Sequence, residues 1–72
     1  MTHPIDLEMG QRIRDLRQQR GLTQTEVAEP CGITFQQIQK YETGANRISV
    51  SRLCEIARVL GAKPENLVRG LR

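Results

Sequence analysis

Two helix starts, separated by a connection of only three residues, constrain this chain more than any other feature. Thr23-Gln24-Thr25-Glu26 has the pattern of a capping box. In it a threonine hydroxyl accepts from the backbone N–H three residues on, and the acidic side chain there reaches back. Thr34-Phe35-Gln36-Gln37 repeats the device with Gln37 as the reciprocal partner. Leu22 with Val27, and Ile33 with Ile38, have the spacing of hydrophobic staples around these starts. Only Gly32, Ile33 and Thr34 remain to end one helix and begin the next. A glycine there suits the positive-φ residue that closes a helix C-terminus.

The same punctuation recurs along the chain. Glycines at 21, 32, 44 and 61 each follow a periodic segment. Ser49 caps a further start, with Ile48 and Leu53 as its staple, and Pro64 suits a first helical turn. Five helices are therefore predicted, at about 6–20, 24–31, 35–43, 50–60 and 64–71. Met9, Ile13 and Leu16 share one face of the first, and Leu53, Ile56, Ala57 and Leu60 one face of the fourth. Pro30 lies inside the second, where it removes a backbone hydrogen bond and clashes with the preceding turn. A kink or an end near Glu29 is expected. Strand-like alternation, internal repeats and low-complexity stretches are absent from the sequence.

At 72 residues the chain makes one domain at most. With no Trp, one Tyr and one Phe, its core must be aliphatic. The net charge of +3 and pI of about 9.4 favour an anionic partner such as nucleic acid. Cys31 and Cys54 lack CxxC or Cys/His spacing, and the single histidine is His3 near the terminus, so no metal or cofactor is implied and both cysteines read as reduced core residues. No run of 18 apolar residues exists for a membrane span. An enzyme is disfavoured, because no cluster of His, Cys or paired carboxylates is present. No small-molecule effector site is apparent.

Two short helices joined by a glycine-containing turn form a helix-turn-helix, whose second helix enters the DNA major groove. At about 100° per residue, Ile38 and Tyr41 turn to one side of that helix. Gln36, Gln39, Lys40 and Thr43 then cluster opposite, as candidate base readers. Glutamine pairs bidentately with adenine and lysine donates to guanine acceptors. Phe35 and Gln37 flank them. Phe35 has two readings, a thymine-methyl contact or a packing role. On the first helix, Arg12, Arg14 and Arg20 read as a solvated face, with phosphate contacts as the alternative.

The order and spacing of these residues resemble the phage-repressor-like, Cro-type (xenobiotic-response-element) helix-turn-helix family. The resemblance rests on Gly10, Ile13, Arg14, Leu16 and Arg17; Gly21-Leu22-Thr23-Gln24; Val27-Ala28; Gly32-Ile33-Thr34; Ile38; Tyr41-Glu42 and Gly44; and Ile48-Ser49, Leu53, Ile56-Ala57 and Leu60. It covers about Met9 to Leu60. It implies an all-α, compact, five-helix lambda-repressor-like DNA-binding domain. It further implies a sequence-specific transcriptional regulator of bacterial or phage origin, a repressor acting as a homodimer on double-stranded DNA, cytoplasmic and nucleoid-associated. An antitoxin or other protein-interaction module on the same fold is the alternative. By the same resemblance Gln24 clamps a phosphate, and Thr34, Gln37, Asn46 and Arg47 meet the DNA backbone. Arg17 and Glu42 are implied to form a partly buried structural ion pair. Leu67, Val68 and Leu71 form an apolar stripe that either seals a dimer or closes the monomer's own core. Pro30 and the small Cys31 depart from the family pattern. A helical end at Leu71-Arg72 is compatible with a further dimerisation or effector region beyond it.

Overall fold

The computed structural model describes residues 2–71. Five α-helices follow one another: α1 (Pro4–Gln19), α2 (Gln24–Ala28), α3 (Phe35–Glu42), α4 (Val50–Leu60) and α5 (Pro64–Val68). A 3-10 turn, Glu29–Cys31, continues α2. Among the described residues there is no strand, and no helix is long and apolar enough to cross a membrane.

The local chemistry sets the helix ends. α1 starts at Pro4 rather than at Asp6. His3 serves as N-cap, its Nδ1 accepting the Ile5 N–H at 3.1 Å, and Pro4 has no N–H to leave unpaired. α2 begins with both halves of the capping box, Glu26 N–H to the Thr23 hydroxyl at 3.1 Å and Thr23 N–H to Glu26 Oε1 at 2.9 Å. Its α-helical hydrogen bonding stops at Ala28, and Pro30 sits in the tighter 3-10 turn that follows. Helix 2 therefore does not run to Cys31 as one α-helix. At Thr34 only the hydroxyl half of the expected box forms, 3.4 Å from the Gln37 N–H. α5 ends at Val68 rather than Leu71. Arg69 leaves helical geometry at ψ 129°, and Gly70 turns to positive φ.

Gly32, at φ 70° and ψ 27°, makes the turn between α2 and α3. A side chain there would meet no neighbouring atom, so Gly32→Ala tests backbone strain alone. Forcing a Cβ into the left-handed region costs about 1–2 kcal/mol. Thermal unfolding should show a correspondingly modest drop.

The core is aliphatic. Ile13, Val27, Ile38, Ile56, Leu60 and Leu67 are fully buried, and Leu22, Ile33 and Ile48 pack at its edge where the staples place them. Leu67 thus belongs to the core and not to a dimer seam. Leu71 packs half-buried against that core, and of the three only Val68 is exposed, at 42%. Cys31 is a buried free thiol and Cys54 a half-buried one. Burial pushes the Cys31 thiol up, the Glu55 charge adds to this and Arg52 opposes it, which keeps Cys31 neutral.

Three arginines tie helix ends to the body. Arg12 donates to the carbonyls of Leu67 and Arg69, Arg20 to that of Leu60 at 2.9 Å, and Arg52 to that of Cys31 at 2.8 Å. Each cation therefore meets carbonyls a helix terminus would otherwise leave unpaired. Arg12 is half-buried and departs from the solvated face read from sequence, whereas Arg14 and Arg20 stay exposed as read.

Candidate nucleic-acid interface

α3 is held by one side and open on the other. Ile38, Tyr41 and Glu42 are buried, while Gln36, Gln39, Lys40 and Thr43 are exposed. Phe35 is 46% exposed at the first turn, so it does not close the core. Thr43 lies just past the helix as its C-cap, and its hydroxyl donates to the Lys40 carbonyl at 3.3 Å. That internal bond leaves Gln36, Gln39 and Lys40 as the freer polar groups of the face. Thr34 sits exposed at the N-terminal end of the helix as its N-cap, and Gln37 is half-buried on the flank.

The inner side of α3 is anchored by charge. Arg17 grips Glu42 through Nε at 2.6 Å and Nη2 at 3.1 Å, and its Nη1 donates to the Leu22 carbonyl at 2.9 Å. The Arg17 and Glu42 side chains are only 12% and 3% exposed. Gln24, at the start of α2, joins this group: its Nε2 donates to Glu42 Oε1 at 3.1 Å. One carboxylate on α3 therefore fixes side chains from α1 and α2 together.

Gly10 allows α1 to approach α3 this closely. A Cβ at that position would clash with the Tyr41 carbonyl oxygen and lie 2.7 Å from the carbonyl oxygen of Glu42. The resemblance named Gly10 without giving it a task, and no single-sequence signal separates it from a tolerated mid-helix glycine.

The loop after α3 is packed against α1. Gly44 is buried at φ 77°, its N–H bonded to the Tyr41 carbonyl at 3.1 Å. The Asn46 N–H bonds to the Lys40 carbonyl at 3.2 Å, so this amide is spent within the domain. The side chains of Asn46 and Arg47 stay exposed, and Arg47 Nε meets Asp6 Oδ2 at 3.1 Å. The sequence reading missed Asp6, which lies 41 residues from Arg47.

A helix-turn-helix family model matches residues 13–67, spanning the turn at Gly32 and the whole of α2, α3 and α4. The chain belongs to the Cro/C1-type helix-turn-helix family. Its relatives include an HTH-type transcriptional regulator of Sinorhizobium medicae, 52% identical over 58 residues, a match covering 81% of this chain and 42% of that protein. The helix-turn-helix chain thus spans less than half the length of that relative. Among solved structures, the restriction-modification controller protein C.AhdI of Aeromonas hydrophila superposes with a TM-score of 0.81 at 30% identity, over 85% of this chain and 88% of that one. SinR, a master regulator for biofilm formation, was solved in complex with DNA. It is similar with a TM-score of 0.77 at 26% identity, over 83% of this chain and 97% of that one.

Proposed function

We propose that this chain is the DNA-reading part of a transcriptional repressor, with α3 in the major groove of an operator. The observation that carries this reading is the two-sided character of α3. Its inner side is locked by Ile38, Tyr41 and the Arg17–Glu42 pair, while Gln36, Gln39 and Lys40 stand exposed on a rigid support. Amide and ammonium groups in that row match the acceptors and donors on major-groove base edges. Phe35 offers an apolar surface to a thymine methyl at the same end. Gln24, Thr34, Gln37, Asn46 and Arg47 border this row and serve the phosphates, which set register without reading sequence.

Repression through a palindromic operator calls for two copies, with recognition helices about 34 Å apart. Val68 is the exposed apolar residue of α5 available to such a seam.

Selection of bound sites from a random duplex pool tests the reading, since it reports sequence preference and half-site spacing together. Lys40→Ala is expected to cost about 1–3 kcal/mol on the selected site and to relax preference at one base pair. Gln24→Ala is expected to weaken binding evenly across sequences and to leave the salt dependence unchanged, because a neutral amide displaces no counterion. A Lys40→Ala variant with an unchanged base preference would refute the assignment of the reading face.

A further inference from the structure

Asp6 lies in the first turn of α1 and Arg47 in the loop that follows α3. Both Asp6 carboxylate oxygens sit on Nε of Arg47, at 3.1 and 3.4 Å. The exposure of the two partners is unequal: the Asp6 side chain is 17% exposed and that of Arg47 is 73% exposed. An ordinary surface pair has two mobile, solvated members. Here the anion is held by the fold and the cation projects from it.

The support beneath the pair is closely packed. Gly44 packs so closely on α1 that a Cβ there would lie 2.9 Å from Leu7 Cα. The Gly44 and Asn46 amides close the loop onto the carbonyls of Tyr41 and Lys40 at the end of α3. The position of Asp6 is therefore tied to the recognition helix through backbone contacts. A carboxylate seated on Nε leaves the outer amino groups of the guanidinium for another acceptor, because the arginine fork has five donors. The chemistry that suits such a half-used fork, on an exposed rim beside α3, is a phosphate.

We propose that Asp6 is a positioning residue for DNA-backbone binding: it fixes Arg47 so that its outer N–H groups face a phosphate bordering the recognition helix. This inference rests on the DNA-binding reading above. It makes a counterintuitive demand on an acidic residue near DNA. Removing the Asp6 charge relieves repulsion toward phosphate but releases Arg47 from its fixed orientation, and the proposal holds that the second effect is the larger.

A double-mutant cycle separates these effects. Asp6→Asn, Arg47→Ala and the double variant are titrated with a short random-sequence duplex, by fluorescence anisotropy across a salt series. Arg47→Ala is expected to weaken binding and lower the salt slope by about one ion. Asp6→Asn is expected to weaken binding roughly 3-fold to 10-fold in the wild-type background, a coupling within the range for contacting residues. In the Arg47→Ala background it should give no loss. A general structural defect would weaken both backgrounds alike and overturn the proposal. Equal tightening in both would also overturn it, showing that the carboxylate only repels. An unchanged salt slope in Arg47→Ala would remove the phosphate contact while leaving DNA binding by α3 intact. A wild-type chain without salt-dependent duplex binding would instead refute the DNA-binding reading itself.

Discussion

Gly10→Ala is expected to destabilise the domain by about 3 kcal/mol or more, the upper end of the overpacking range, because the obstruction is backbone. The sign is the informative part. In a solvated mid-helix position, replacing glycine by alanine adds about 1 kcal/mol of helix stability. At Gly10 the new Cβ clashes with the Tyr41 carbonyl oxygen and lies 2.8 Å from the Glu42 carbonyl carbon. No rotamer change relieves a clash with main-chain atoms, so α1 and α3 must separate. Domains of this size lose about 4–8 °C in Tm per kcal/mol, so a fall of more than about 12 °C is expected by calorimetry. A Tm equal to or above that of the parent would show that α3 yields easily to α1. The tight seating of the recognition helix would then be wrong.

Gly10 also shows what kind of information the sequence carried. Most elements that depend on residues close in the chain were legible, although the His3–Pro4 start of α1 and the end of α5 at Val68 were not. The Thr23 box, the staples and the glycine at 32 placed α2, α3 and their turn, and the apolar spacing of α4 reproduced Val50–Leu60. The buried face of α3 followed from periodicity alone. What escaped depends on approach between distant segments. The close contact at Gly10, the Asp6–Arg47 pair and the arginines that cap α4 and α5 all join residues far apart in sequence. Nothing in a local window distinguishes such an arginine from a solvated one. Leu67 shows the same limit: an apolar stripe on a short helix is equally compatible with an inner and an outer partner, and only packing decides. The pairing of Arg17 with Glu42 came from family resemblance, because periodicity puts each at the edge of an apolar face without saying what it meets.

That pair carries the second large expectation. Arg17→Met should cost about 3–5 kcal/mol, because it strands a carboxylate whose side chain is 3% exposed, leaving Gln24 as its remaining side-chain donor. Arg17→Lys should recover only part of this loss. An ammonium cannot reproduce the fork that reaches both Glu42 oxygens and the Leu22 carbonyl together. The Arg17→Met/Glu42→Leu double variant is expected to be more stable than Arg17→Met. An apolar pair in the same volume avoids desolvating two charges, and such replacements are often neutral or better. Chemical denaturation of the four proteins measures this directly, and a double variant no more stable than Arg17→Met would refute the buried-charge explanation. The double variant also separates stability from DNA reading. It removes the carboxylate that holds Gln24, so a well-folded double variant should still bind duplex DNA more weakly than the parent. If it binds as tightly, the Glu42 carboxylate serves only to join α1 to α3, and the Glu42–Gln24 bond has no part in the proposed phosphate contact.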